Sequence, residues 1–450
     1  MKDYLDQLAT CVHDTKLSRL PASTVAASKL VLLDTIGAMV AGSALPENVR
    51  LARMAAKRSP HGLCTLAGHG LKSDSLLATF TNATAGVALE MDEGNRLGGG
   101  HPAIHVIPGA LAVAEEMGAH GRLLLEAVIT GYEVGSRLGG ATFARPNVHS
   151  HGTWGTISTA AAVARLHDLP ADEIRHVINL SASMTPANSW TPALEGATIR
   201  NAYPGRSGLE GILALDLHRA GFTALDDAPS DVYGTLLAES FEPEAAVAGL
   251  GESYRIEQNY FKFHACCRMN HPALDAVMSL RAQHRFTGDE VASVHITSVP
   301  FGLRMLDTEP QNMLGAKFSI PYAVAAALVL GRTDTAAFED RVLDDARIRA
   351  MAKRIEVAAD DEMALKRADY PTAHVRIGLR DGRTLSQTTG VVRGDAANPV
   401  SSGEVVGKFL SLASGVLGDR RAHEIIEAVD TVDTLKDVRD LTARLAPLQA

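Results

Sequence analysis

Histidines, basic residues and carboxylates crowd into four short stretches of this chain. The first is Asp92-Glu93-Gly94-Asn95-Arg96, followed by Gly98-Gly99-Gly100 and His101-Pro102. A histidine beside carboxylates can pass protons near neutral pH. Glycines let backbone N–H groups come close to a ligand. The same residues also read as a solvated loop that Pro102 closes at a helix start. The second stretch, NVHSHGTWGT, sets His149 and His151 two residues apart before a helix. That suits an anion at the helix N-terminus, proton transfer, or a plain cap. As a metal pair the two histidines lack a third ligand nearby.

The third stretch, IRNAYPGRSGLEG, flanks a Tyr-Pro-Gly turn with Arg200 and Arg206. Guanidinium forks match carboxylates and phosphates, although surface arginines would look the same. It is no Walker loop, because Gly-Lys-Ser/Thr is missing. The fourth, YFKFHACCRMNHPALDAV, packs Lys262, His264, Arg268 and His271 into ten residues. Adjacent Cys266 and Cys267 make awkward zinc ligands. Cys267 reads either as a thiol activated by its basic neighbours or as a small buried hydrophobe. GxSxG, HExxH, GxGxxG and EF-hand patterns are absent from the sequence. Taken together, the four stretches describe one pocket, built from loop ends, for a polyanionic small molecule.

Helices must position these loops. LVLLDTIGAMVAG, SLLATFTNATAGVALEMD, AIHVIPGALAVAEEMGAHG, RLLLEAVITGYEVGSRLGG, GTISTAAAVARLHDL and SGLEGILALDLHRAGFTA carry helical spacing. Several are apolar nearly all round, which predicts helices buried in a bundle. No strand–helix alternation supports a Rossmann sheet. The texture changes near residue 285. EVASVHITSVP reads as a strand, and AHVRIGLRDGRTLSQTT as a hairpin turning at Asp381-Gly382. KFSIPYAVAAALVLG and DDARIRAMAKRI read as helices between them. The tail returns to helix in GEVVGKFLSLASGVLG, RAHEIIEAVD and TLKDVRDLTARLA, and could pack back on the first region.

The totals bound the class. The 450 residues suggest two or three domains. An apolar fraction of 46% and a charged fraction of 21% are ordinary for a globular protein. A net charge of −9 without basic runs argues against nucleic acid or an anionic membrane as partner. Four cysteines without CxxC fit a reducing compartment. The charged N-terminus is no signal peptide, and the apolar runs fall short of a span, so a cytoplasmic protein is expected.

In order and kind, these motifs resemble the MmgE/PrpD family, from LVLLDTIGAMVAG through ALEMDEGN, GGGHPAIHVIPGALAVAE, GYEVGSRLG, HSHGTWGTISTAAAVARL and IRNAYPGRSGLEG to KFHACCRMNHPALDAV and GAKFSIPYAVAAALVLG. The likeness implies a mainly α fold with an α+β part. A large helical domain would form from 1–258 and the returning tail, 396–450, with a smaller α+β lid over 259–395. It implies a homodimer, no metal, no cofactor and a site between the domains. It implies a lyase, a dehydratase or decarboxylase, moving protons at the carbon next to a carboxylate of a 2-methylcitrate- or aconitate-like substrate. Carried onto this chain, the motifs point to Asp92, His101 and His271 for acid–base work. Arg96, His149, His151, Arg200, Arg206, Lys262 and Arg268 would hold the di- or tricarboxylate. An epimerase of an iminodisuccinate-like dicarboxylate and a silent carboxylate-binding protein are the alternatives. Three departures stand out: Asp92-Glu93-Gly94-Asn95 where many members have Asp-Asp-Thr, Arg200 where many have lysine, and the added histidine of His149-Ser150-His151-Gly152-Thr153. Arginine stays protonated, so Arg200 can clamp a carboxylate but cannot act as a base.

Overall fold

The alanine- and leucine-rich stretches form the helices Ala22–Ser43, Ser75–Ala88, Pro102–Met117, Gly121–Ala141, Gly155–Leu166 and Ala202–Arg219 in a computed structural model. It describes residues 3–360 and 372–448. Residues 361–371 of the expected α+β stretch lie outside the described residues. Starts follow local chemistry. Asp74 accepts from the Leu77 N–H, and Pro102 opens its helix where an N–H would have no partner. Pro102–Met117 and Gly121–Ala141 are buried over most of their circumference, the second with Glu133 and Arg137 buried as an ion pair.

The fold is mainly α with an α+β part, and it has two large hydrophobic cores. The larger draws on both chain ends: Leu5 and Leu8, the bundle helices, then Val405, Phe409 and Ile425 of the C-terminal helices. Helix Ser402–Leu417 packs along Ala22–Ser43. The second core gathers Ala265 to Leu385 and reaches Leu89, Met91 and Leu412. Its four-stranded sheet runs Thr384–Thr389, Ala373–Leu379, Val291–Ser298, Ile355–Ala359. The last pair is parallel and the others antiparallel. Ala373, Val375, Ile377 and Leu379 alternate inward, as a half-buried strand dictates. Helices His271–His284 and Ile320–Leu330 pack against this sheet.

Four features differ from the sequence reading. The first region is not purely helical: Cys64–Leu66 pairs with Leu71–Ser73, and Thr142–Ala144 with Ala238–Phe241. Such short strands leave too few residues for alternation to register. The Tyr203-Pro204-Gly205 segment is the first turn of helix Ala202–Arg219, where proline forfeits no hydrogen bond. The terminal stretch after Thr434 yields only the short turns Arg439–Thr442 and Ala443–Leu445. There Arg439 reaches the Glu115 and Glu116 carbonyls, so contacts with another helix hold the segment. Finally, Ala22–Ser43 is long and apolar enough by length and composition to cross a membrane. The apolar run is interrupted by Asp34 and was too short by itself, but the helix continues beyond it. Of its most apolar window, 67% is buried within the protein.

Candidate active site

The site grows from the loop between Ser75–Ala88 and Pro102–Met117. Glu90 leaves the first helix in a left-handed conformation, φ 54°, rare for a residue with a side chain. Lys408 of the C-terminal helix holds the next carbonyl, Met91 O, at 2.7 Å and pairs with buried Asp34 at 2.7 Å. Gly94-Asn95 then pairs with Asn259-Tyr260, tying the loop to the chain entering the second core. A Cβ on Gly94 would lie 2.3 Å from the Tyr260 ring, so only glycine fits. Gly99 takes φ +63° to turn the chain back to His101. There Ala103 N–H donates to Glu93 Oε2 at 3.2 Å, and Tyr132 OH donates to the other oxygen of the same carboxyl. Burial pushes the Glu93 carboxyl up to about 8 despite both donors.

Hydrogen-bond partners assign the histidine tautomers. His101 Nδ1 lies 2.7 Å from Glu93 O and 3.1 Å from Asp92 Oδ2. A carbonyl only accepts, so Nδ1 carries the proton and the Nε2 lone pair is left as the base. Asp92 stands where it stabilises the imidazolium formed when Nε2 takes a proton. His149 is arranged the other way. Its Nδ1 accepts from the His151 N–H at 3.0 Å, so the neutral ring carries its proton on Nε2. Arg200 Nε lies 3.4 Å from that Nε2. Both are then donors, so this contact is no hydrogen bond; an acceptor shared between them would satisfy both. His151 stacks on His101 with ring centres 4.4 Å apart. Both its ring nitrogens are buried without a hydrogen-bond partner, and Nε2 lies 3.9 Å from Asp92 Oδ2.

Two buried anions and two buried cations surround these rings. Lys262 Nζ is 2.9 Å from Glu90 and 3.5 Å from Asp92, and Arg200 pairs with Glu90. Burial favours the neutral Asp92 carboxyl, yet Lys262 and His101 hold it well below the usual carboxylate range. Burial also opposes the charge on Glu90, and Arg200 and Lys262 outweigh it. Burial likewise works against the Lys262 ammonium, but Asp92 and Glu90 raise it above its ordinary value. Burial, then the Arg200 charge, keeps His149 and His151 far below the usual histidine range, hence neutral. Asp92, His101 and His151 could present metal-ligand atoms within 4.8 Å of one another. The Lys262 ammonium already supplies positive charge to that carboxylate.

A cavity of about 380 Å³ opens onto this cluster. Glu90, Arg96, His101, His149, Arg200 and Arg268 line it, so it draws on residues from both cores' neighbourhoods. Arg268 lies over the Tyr260 ring at 4.2 Å and bonds Asp395 at 2.7 Å, leaving a buried Nη1 without a partner. Asp92, His151 and Lys262 sit behind this lining. Arg206 does not belong to it: it faces outward from its helix, 55% exposed, and pairs with Glu210. Nor does His271 line the cavity. Its Nε2 contacts Cys266 O at 3.2 Å and its ring packs edge-on against His264. It is the first residue of its helix and fully buried, with Nδ1 lacking a hydrogen-bond partner. Cys267 reaches the lining, but burial pushes its thiol up to about 11, which suits the hydrophobe reading. All four cysteines are free.

Two functional candidates escaped sequence reasoning. Glu90 is the hub of the charge cluster. Lys317, fully buried, donates to Ala88 O at 3.2 Å, and burial brings it down to about 7. Each is a charge inside an otherwise apolar run, ALEM and GAKF, and that was the available signal.

Residues 6–244 match the MmgE/PrpD N-terminal domain, and residues 264–434 match the MmgE/PrpD C-terminal domain. A cis-aconitate decarboxylase-like protein, oryM, of Aspergillus oryzae is 24% identical, covering 98% of this chain and 96% of its own length. A cis-aconitate decarboxylase of Aspergillus terreus is 23% identical over 94% of this chain and 91% of its own. The Homo sapiens cis-aconitate decarboxylase is 22% identical over 99% and 95%.

Proposed function

This chain belongs to the MmgE/PrpD family, and from that premise we propose that it is a lyase acting on a di- or tricarboxylate by acid–base chemistry beside a carboxylate. One observation carries the reading: a single cavity receives a histidine presenting a lone pair, His101, and a neutral histidine presenting an N–H, His149. A dehydration needs both. His101 Nε2 takes the α-proton, the C–O bond breaks as the double bond forms, and the His101 imidazolium returns that proton to the leaving hydroxide to make water, while the His149 N–H holds a substrate oxygen. A decarboxylation of an unsaturated acid uses the protonated form of the same base. The bond to one carboxylate breaks, carbon dioxide leaves, and the electron pair shifts through the double bond to a carbon that accepts the proton. In either case Arg200 Nε and His149 Nε2 share one substrate oxygen and stabilise the charge that develops on it.

Decarboxylation is the first reaction to test, because relatives of known name along the whole chain are cis-aconitate decarboxylases. An epimerase needs proton-transfer groups on opposite faces of its substrate. His101 and His151 are instead stacked ring on ring, which favours the lyase. The test is proton NMR in D2O with cis-aconitate, citrate and 2-methylcitrate. Deuterium next to a carboxylate, with carbon dioxide or an unsaturated product, is the expected result. His101→Ala should lower turnover by about 10²–10⁴-fold. A loss smaller than about threefold removes His101 from the chemistry. Binding with neither exchange nor product would make the chain a carboxylate-binding protein. A homodimer is part of the proposal, and light scattering on the purified chain checks it.

A further inference from the structure

The charged groups occupy only part of the cavity wall. Trp190, Met269, Phe301 and Phe318 supply much of the rest. Trp190 stacks on His149 with ring centres 3.7 Å apart, and Phe301 meets Trp190 edge-on at 5.0 Å. Phe318 is buried and carries the Arg200 guanidinium over its ring at 5.2 Å. Trp190, Met269 and Phe301 are only partly buried, so this apolar patch is open to whatever enters. The patch also joins the two halves of the site: Trp190 lies alongside the His149 loop, its backbone N–H donating to Asn147 O at 3.0 Å, while Phe301 lies in the turn Pro300–Arg304 after a strand of the sheet. Arg304 from that turn donates to Pro146 O at 3.0 Å and Asn147 Oδ1 at 3.2 Å, which fixes Phe301 beside Trp190.

A small tricarboxylate makes poor use of such a wall. A carboxylate laid against indole, phenyl and thioether gives up water and gains no partner. An alkyl or aryl group laid there gains the transfer energy of its own surface and of the rings it covers. A volume of about 380 Å³ falls in the range of sites that enclose ligands larger than a compact acid.

We infer that the substrate is amphipathic: a di- or tricarboxylate bearing an apolar arm larger than methyl, seated on Trp190, Phe301 and Met269. This rests on the lyase reading above and narrows its substrate class. The arm anchors one end of the molecule while Arg200, His149 and His101 engage the carboxylate end. Binding energy gained on the arm holds the reacting carbon beside His101.

The experiment is a turnover series with citrates and cis-aconitates that are unsubstituted or carry methyl, propyl, pentyl or benzyl. In the chain as it stands, kcat/KM is expected to rise by roughly fourfold per added methylene before levelling. The propyl–pentyl and benzyl arms decide between a chain and a ring. Phe301→Ala should lower the pentyl-to-unsubstituted ratio of kcat/KM by about tenfold, and Phe301→Leu should restore part of it. A flat or falling series, with the unsubstituted acids turned over, overturns the apolar arm and leaves the lyase reading intact. If no acid in the series is turned over or exchanges deuterium, the lyase reading has failed. Calorimetry with succinate and with its propyl and benzyl derivatives then decides: tighter binding of the substituted acids supports the apolar subsite, and equal or weaker binding refutes it.

Discussion

At the scale of single residues, the site separates groups that must move protons from groups that only present them. His149 is neutral, its tautomer fixed by the His151 N–H. If its work is to donate one hydrogen bond, an amide can stand in for it. His149→Gln should keep more activity than His149→Ala, which should lose about 10²–10³-fold in kcat. Equal losses in the two variants, measured with saturating substrate, would mean that the ring itself exchanges protons. Lys317 gives a second residue-scale expectation. In the folded chain it binds its proton only below about 7, against an ordinary 10.5. Between these values the unfolded chain binds more protons, so this residue's contribution to stability rises with pH across the window. Below about 7 both states are charged and the full burial cost is present. Lys317→Met should therefore stabilise the protein most at acidic pH, by about 3 kcal/mol more near pH 6 than near pH 9. Denaturant melts of variant and parent at the two pH values check it; a pH-independent difference would show that Lys317 does not titrate there.

At the scale of elements, two helices from opposite chain ends hold the reactive loop from behind. Asp34 of Ala22–Ser43 and Lys408 of Ser402–Leu417 form a buried pair, and the lysine also clasps Met91 O between Glu90 and Asp92. Lys408→Met strands the Asp34 charge and should cost about 3–5 kcal/mol. Adding Asp34→Leu removes that stranded charge and should recover most of the stability. It cannot restore the donor on Met91 O, so kcat should stay low in the double variant while its melt approaches the parent's. Recovery of both together would leave the pair with a structural role alone. These helices were legible in the sequence because long apolar runs broken by one charge announce burial. The register that brings residues 34 and 408 together was not, since helix–helix packing depends on side chains far apart in the chain. The hairpin at Asp381-Gly382 was legible from its turn and alternation, whereas strands as short as Cys64–Leu66 carry no period to read.

At the scale of the whole molecule, much of the site was legible as residue types in loops before helices. Asp92, His101, His149, Arg200 and Lys262 do converge. Arg206 and His271 share the same motifs, but each leaves the cavity because a helix turn points it elsewhere, and spacing along a loop does not fix that direction. The charge balance was equally hidden. Glu90 and Asp92 face Arg200 and Lys262, so the cluster carries no surplus positive charge for a polyanion. The chain's net charge of −9 supplies none either. A di- or tricarboxylate entering a largely desolvated cavity then meets Arg96 and Arg268 on its lining, and a proton is the further cation it can recruit. His151 offers two buried ring nitrogens without hydrogen-bond partners, Nε2 lying 3.9 Å from Asp92 Oδ2, and burial and the Arg200 charge hold it neutral. Negative charge from the ligand acts in the opposite direction to Arg200 and draws a proton onto the ring stack. Ligand binding and protonation are therefore linked, each favouring the other by the same free energy. Calorimetric titration with an unreactive tricarboxylate at pH 8, in buffers of different ionisation enthalpy, should show uptake of about one proton per site. His151→Asn should reduce that uptake while retaining binding. A binding enthalpy that does not change with the buffer would mean that Arg96 and Arg268 alone balance the ligand, and that the two buried histidines stay neutral throughout.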